Sequence, residues 1–159
     1  MKKTILIPFA LLLSMHVSAQ RTTEETIPKP VVSTFKTAYP SAEKLQWELD
    51  EENYMVGFVM NKEDKTAHYT PEGKWLRTET PVRVLDLPKV VKKTAGKNFR
   101  GARIVYPVKI ESPDKIYYKM ELTKDDLTYE VEITEAGEMT KHKEKEDPNK
   151  KEEEEQKKE

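Results

Sequence analysis

The side chains that could carry acid–base or nucleophilic chemistry are few in this sequence. Of the three histidines, His16 lies in an apolar N-terminal segment, His142 lies in a charged C-terminal segment, and His68 lies between them. There is no cysteine, and no serine stands in a Gly-x-Ser-x-Gly nucleophile motif. A hydroxyl nucleophile needs a base held beside it. The alternation around His68 predicts an exposed histidine on a strand, so the sequence indicates a protein that is not an enzyme.

Clustered acids are the second kind of candidate site. They occur at residues 50–52, 63–64 and 125–126, each next to an alternating segment and therefore expected at a hairpin tip. Hairpin tips favour acidic and small polar residues for reasons of turn geometry. A calcium loop would space its acids around a central glycine, and the chain has only five glycines in all. We therefore expect no metal ion and no cofactor.

Residues 1–19 have the pattern of a secretory signal peptide. Lys2 and Lys3 precede an apolar run at 5–13, and Val17-Ser18-Ala19 is a small-residue cleavage site. The run is shorter than the roughly 20 residues that a membrane span requires. A bacterial lipid anchor would need a cysteine after the cleavage site. We expect cleavage after Ala19 and a periplasmic or secreted protein with no membrane span and no lipid anchor.

The charge distribution argues against a nucleic-acid partner. The chain has 28 basic and 29 acidic residues, mixed along its length, for a net charge of −1. A nucleic-acid-binding domain concentrates an excess of lysine and arginine on one face. The expected partner is instead another exported or envelope protein.

Two similar segments, 27–83 and 84–140, are expected to form the folded body. Each begins with apolar residues at helical spacing and continues with alternating strands. Residues 20–26 and 141–159 lack such patterns, which predicts a flexible N-terminal segment and a charged, disordered tail. The predicted fold is α+β, with two similar halves, each a helix packed on one face of an antiparallel β-meander whose other face is open.

The side chains expected in the core of this fold are the apolar ones at helical spacing and on one face of each strand. In the first half they include Val31, Phe35, Trp47, Tyr54, Val56, Phe58 and Met60. In the second half they include Leu87, Val91, Ala95, Ile104, Tyr106, Val108, Ile110, Tyr118, Met120, Leu122, Tyr129, Val131 and Ile133.

The order of these residues resembles that of a known family. The resemblance is carried by Tyr39-Pro40-x-Ala42 with Trp47, by Tyr54-x-Val56-x-Phe58, by Pro71-x-Gly73-x-Trp75, and by Val84-Leu85-Asp86-Leu87-Pro88 with Gly101-x-x-Ile104. This pattern is similar to the PepSY-like, β-lactamase-inhibitor-like periplasmic proteins and covers roughly residues 27–139. The resemblance implies helices on one face of a sheet, an open second face, a binding or inhibitory role and no catalytic residues.

Parity along one strand gives a hypothesis for the binding site. If Tyr54, Val56 and Phe58 face the core, their neighbours must face the other side of the sheet. The candidate binding face therefore consists of Met55, Gly57, Val59 and His68, with Trp75 at its edge. The alternative is a periplasmic small-molecule or metal-ion binding protein that uses the seam between the halves. Its expected lining is Trp47, Trp75, Tyr106 and Tyr118.

Overall fold

The structure of the protein is a computed structural model that describes residues 21–145, and residues 1–20 and 146–159 lie outside that range. Within residues 21–145, nine strands and two α-helices follow one another. The strands are β1 (Arg21–Thr22), β2 (Glu43–Asp50), β3 (Asn53–Met60), β4 (Glu63–Tyr69), β5 (Trp75–Pro81), β6 (Arg103–Glu111), β7 (Ile116–Lys124), β8 (Leu127–Thr134) and β9 (Met139–Lys145). The helices are α1 (Lys29–Ala38) and α2 (Lys89–Asn98), each preceded by a 3-10 turn, at Glu24–Thr26 and Val84–Asp86.

The nine strands form a single antiparallel meander, in which each strand pairs with the next one along the chain. Such local pairing needs only hairpins, except where a helix intervenes between β1 and β2 and between β5 and β6. Strand β5 therefore belongs to both halves, because it pairs with β4 on one side and with β6 on the other. The α+β class expected from the sequence is confirmed at this level, as two helices and a large antiparallel meander.

Helix α1 follows directly from its local sequence. Pro30 is tolerated in the first turn, where its missing N–H would have no partner. Val31 and Phe35, four residues apart, are both buried. The helix ends where the Tyr39 N–H bonds to the Phe35 carbonyl, one residue before Pro40. Both buried residues belong to the first apolar cluster, which also contains Ile27, Trp47, Val56, Phe58, Ala67 and Tyr69.

Helix α2 repeats this arrangement 60 residues later in the sequence. Val91 and Ala95 are its buried pair, and the Phe99 N–H bonds to the Ala95 carbonyl at its end. Phe99 packs on Tyr129 with 5.0 Å between ring centroids. The second apolar cluster consists of Leu87, Val91, Ala95, Tyr118, Met120, Leu122, Val131 and Ile133.

Both clusters lie on the same face of the sheet. Residues paired across antiparallel strands share a face, and Ala67 of the first cluster pairs with Thr78. Thr80, two residues further along β5, pairs with Lys109, and Lys109 pairs with Tyr118 of the second cluster. Among residues 21–145, both α-helices thus contribute to clusters on one face, which we call the helix side.

Each half closes with a turn whose glycine packs against the start of its helix. Gly73 has φ +82°, and a Cβ there would lie 2.7 Å from the Pro30 backbone. Gly137 has φ +88°, and a Cβ there would lie 2.3 Å from Val90 Cγ2. Thr94 Oγ1 also donates a hydrogen bond to the Gly137 carbonyl at 2.7 Å. Glycine is needed at both turns because of the left-handed backbone and the close contact.

The structure corrects two of the predicted segment boundaries. The N-terminal segment 20–26 was expected to be flexible, yet β1 pairs Thr22 with Trp47 and a 3-10 turn follows. The predicted tail from 141 begins inside β9, where His142 pairs with Val131. Strand pairing orders these polar segments because it satisfies their backbone groups without requiring an apolar side chain. The remainder of the predicted tail lies outside the described residues.

Candidate binding face

The face opposite the helix side carries most of the predicted binding residues. Along β3, Val56 and Phe58 are buried in the first cluster, and Met55, Gly57 and Val59 alternate with them. His68 pairs with Met55 across β3 and β4, so it lies on the same face. We call this surface the helix-free face. Continuing through the paired rows, it also includes Gln46, Glu48, Asp64, Thr66, Arg77, Glu79, Val108, Ile110, Tyr117, Lys119, Glu121, Glu130 and Glu132.

His68 is buried, and the prediction that it is exposed was wrong. Its exposed fraction is 5%, and its register partners are Met55 on one side and Arg77 on the other. Its Nε2 lies 3.3 Å from Glu79 Oε1. Arg77 Nε donates to the same carboxylate oxygen at 2.7 Å. Alternation predicts the face of a residue, but burial on that face depends on neighbouring strands that are distant in sequence.

Glu79 is held in its ionised form by these two neighbours. The interaction with the His68 imidazole lowers the pKa of Glu79 most, partial burial opposes this, and the Arg77 guanidinium lowers it further, to about 2. An oppositely charged or hydrogen-bonding neighbour stabilises the ionised form of a carboxyl group in this way. The centre of the helix-free face is therefore a charged group on a mostly buried scaffold.

Ile110 and Tyr117 complete this region. From the sequence, Ile110 was assigned to the opposite face and Tyr117 was not identified. Ile110 pairs with Glu79 and with Tyr117, which places it on the helix-free face with only 3% exposure. In β6, every second side chain from Ile104 to Ile110 was expected to face the helix side. A bulge at Tyr106, where φ is +47°, reverses that parity, so Tyr106 is 74% exposed. Proline at 107 was the available signal, because prolines in strands mark bulges and edges.

Trp75 lies on the helix side, so the prediction that it borders the binding face was wrong. It packs against the first cluster, and its Nε1 donates to Thr78 Oγ1 at 2.9 Å. Tyr39 Oη and Thr78 Oγ1 are 2.6 Å apart. The physical reason is an irregularity between His68 and Tyr69, which pairs Tyr69 directly with Trp75.

Glycine at 57 is not required by its surroundings. Its φ is not in the left-handed range, and a Cβ there would meet only Gln46, at 3.9 Å, which is ordinary contact. Met55 and Val59 on either side are half-buried. The absence of a side chain at 57 therefore leaves a shallow notch between two apolar residues on the helix-free face.

The second half of the helix-free face is charged. Lys119 Nζ lies 3.3 Å from Glu130 Oε2, and Glu130 pairs in register with Glu121 and with Lys143. Alternating charges of this kind are typical of a solvent-facing sheet surface. The apolar side chains of the helix-free face thus lie on β3, β6 and β7, next to charged residues of β4 and β5, whereas β8 contributes only polar and charged side chains to this face.

The four aromatics expected at the seam do not come together in one pocket. Trp47 and Trp75 belong to the first cluster, Tyr118 to the second, and Tyr106 is exposed. The helix side of the seam is polar instead: Lys65 Nζ donates to Thr80 Oγ1 at 3.2 Å, and Lys109 Nζ lies 3.0 Å from Glu111 Oε1. Within residues 21–145 no three histidine or acidic side chains converge as metal ligands. The same part of the chain contains no helix long and apolar enough to cross a membrane.

Comparison with known families agrees with the architecture and the repeat. A family model described as "Putative beta-lactamase-inhibitor-like, PepSY-like" matches residues 15–59 and 52–141. The two matches together cover most of the chain, so the protein belongs to the PepSY-like, β-lactamase-inhibitor-like family. No curated protein matches the chain in sequence.

Solved structures from Bacteroides share the fold. A DUF2874 family protein from Bacteroides ovatus is 25% identical, with a TM-score of 0.69 over 75% of this chain and 88% of that one. A protein from Bacteroides eggerthii, described as periplasmic, is 22% identical, with a TM-score of 0.67 over 74% and 88%. A BLIP-like protein from Bacteroides fragilis is 18% identical, with a TM-score of 0.67 over 75% and 88%.

Proposed function

We propose that this protein is an exported, non-catalytic module that binds or inhibits another periplasmic or secreted protein through the apolar half of its helix-free face. The observation that supports this most directly is the placement of Met55, Gly57 and Val59 on the face away from both helices. The family description and the likeness to a BLIP-like protein agree with an inhibitor-type role. The predicted signal peptide and the B. eggerthii relative agree with a periplasmic location.

The chemistry of this surface favours a protein partner. Met55 and Val59 offer unbranched and branched apolar side chains on either side of a notch, and flexible methionine adapts to different partner surfaces. The Arg77–Glu79 pair at the same surface offers a cation and an anion in fixed positions. Apolar side chains next to charged groups match the general composition of protein interfaces.

Site-specific crosslinking in the cell envelope tests the proposal. A photo-crosslinking residue at Met55 or Val59 should give a discrete adduct with one exported protein. The same residue at Ser33, exposed on α1 in the same half of the molecule, is the matched control and should not give it. Equal adducts at position 33, or none at 55 and 59, would argue against the helix-free face.

Substitution of Val59 by lysine then tests the energetic importance of the contact. Val59 pairs with Asp64, so a lysine there meets an opposite charge across the strands and should leave the melting temperature nearly unchanged. Crosslinking from position 55 in this variant should fall roughly tenfold, which is the effect expected from losing an interface contact of moderate importance. Unfolding of V59K would instead show that the face is covered within the chain.

A further inference from the structure

The two halves differ chemically along the outer surface of their helices. In α2, Lys89, Lys93 and Lys97 are exposed and spaced by four residues, so they form one stripe. The positions 60 residues earlier in α1 are Lys29, Ser33 and Thr37. Like charges four residues apart destabilise a helix slightly. The same backbone therefore carries a costly lysine row in the second half that it lacks in the first.

The lysine row is not neutralised by the described part of the chain. Within residues 21–145, Lys89, Lys93 and Lys97 form no ion pair. Between Asp86 and Glu111 the sequence has seven basic residues and no acidic one. Asp86 itself is paired with Arg83 at 2.6 Å. This local positive surface belongs to a chain whose net charge is slightly negative.

Exposed aliphatic side chains lie in the turn that leads into this helix. Leu85 is 82% exposed and Val84 is 39% exposed, in the 3-10 turn that precedes α2. Lys92 Nζ donates to the Leu85 carbonyl at 3.1 Å, which holds the turn against the helix. The equivalent turn of the first half carries Glu24 and Glu25. Apolar residues thus stand in the second half where the repeated backbone accepts glutamates.

We propose that this surface, formed by Val84, Leu85, Lys89, Lys93 and Lys97, binds the surface of a bilayer that contains anionic phospholipid. The aliphatic side chains would enter the interface, and the lysines would lie near the lipid phosphates. Peripheral membrane binding combines these two contributions, apolar insertion and attraction to anionic headgroups.

The lysines favour a lipid surface over an acidic protein as the occupant. Lysine is depleted at protein–protein interfaces, where arginine and aromatic residues are enriched. Arginine also matches a carboxylate with two hydrogen bonds, whereas lysine acts as a point charge without fixed geometry. A row of lysines that form no ion pair within residues 21–145, beside exposed aliphatic side chains, suits a fluid, diffuse anionic surface.

Vesicle flotation tests the proposal with a chain that begins at Gln20, which retains every described residue and lacks the apolar segment that would itself bind lipid. The native chain should float with vesicles of phosphatidylcholine containing about a third phosphatidylglycerol, and not with pure phosphatidylcholine. K93S/K97T introduces the residues of α1 and should weaken binding about 30-fold, from roughly fivefold per lysine. V84E/L85E introduces the residues of the first-half turn and should abolish binding.

K29S/K74S is the matched control, because it removes two exposed lysines from the first half and should leave vesicle binding unchanged. Circular dichroism establishes that each variant is folded. The proposal is overturned if the folded native chain does not float with the anionic vesicles, if the control weakens binding as much as K93S/K97T, or if both second-half variants float normally. Lysine-dependent capture of an acidic soluble protein without vesicle binding would also overturn it.

Discussion

A single carboxylate shows how strongly neighbouring strands determine the properties of one side chain. Glu79 alternates with polar residues in β5 and looks from its sequence like an ordinary surface acid. In the structure it lies 3.3 Å from the buried His68 imidazole and accepts a hydrogen bond from Arg77. Two of these three residues are eleven positions apart in sequence and meet only because β4 pairs with β5.

The Glu79 contacts predict a definite pH dependence of stability. The pKa of Glu79 in the folded protein is about 2, against 4.5 as its ordinary value. A lowered folded-state pKa means stabilisation that is complete above pH 4.5 and is lost as the pH falls towards 2. E79Q should therefore melt roughly 3 °C below the native protein near neutral pH, as expected for a partly exposed charged pair.

Thermal unfolding of both proteins across the acid range measures this. The difference in melting temperature should shrink between pH 4.5 and 2. E43Q is the control, because Glu43 is exposed on the same face, in register with Val59, and has no ion pair among the described residues. If the difference in melting temperature between the native protein and E79Q stays constant down to pH 2, the His68 and Arg77 contacts do not stabilise the ionised carboxylate.

At the scale of elements, each half has a contact between the glycine of its last turn and the first turn of its helix. Gly73 meets the backbone of Pro30, whereas Gly137 meets the side chain of Val90. The two contacts are equivalent in the fold and differ in which atoms can yield. A clash with a side chain can be relieved by truncating it, but a clash with backbone cannot.

This difference predicts unequal rescue of two glycine variants. G137A should destabilise the protein by about 2 kcal/mol, from a left-handed alanine plus the overlap with Val90. Adding V90A should restore part of that loss, since it removes the Cγ2 atom 2.3 Å away. G73A should be at least as destabilising and should not be rescued by V90A. Urea denaturation of G137A, G73A, V90A and the two double variants gives the two coupling free energies, and an additive G137A/V90A pair would contradict the contact.

At the scale of the whole molecule, β5 joins the two clusters into one sheet. It pairs with β4 below α1 and with β6 of the second half. Thr78 and Thr80 are buried at this join, at 2% and 4% exposure. A continuous ladder with a buried central strand predicts that the two halves unfold together.

Removing the edge strand β9 tests this cooperativity. Truncation after Glu138 removes the pairing with β8 and the Met139 contact with the second cluster. The melting temperature should fall by roughly 5 °C or more. Both tryptophans lie in the first half, so tryptophan fluorescence should report the same fall as far-ultraviolet circular dichroism.

Truncation after Lys145 is the control for the loss of charged residues, and it should melt like the full chain. A fluorescence midpoint that stays in place while the circular dichroism midpoint falls would show two independently folding halves. If truncation after Lys145 lowers the melting temperature as much as truncation after Glu138, the stabilisation comes from residues beyond β9.

The sequence by itself determined the features that depend on short-range periodicity. Val31 and Phe35 were assigned to a helix core from their spacing, and the alternation of Val56 with Met55 and Val59 was assigned correctly because β3 pairs without interruption. The family was also recognisable, since its motifs are contiguous residues. Local patterns suffice wherever backbone geometry is regular.

The tertiary structure alone decided the positions that depend on bulges and on strand neighbours. A bulge at Tyr106 moved Ile110 to the helix-free face, and an irregularity beside Tyr69 moved Trp75 off it. One extra residue in a strand reverses the facing of every later side chain. His68 became buried through neighbours on β3 and β5, because burial is set by which strands assemble around a residue and not by the residue's own strand.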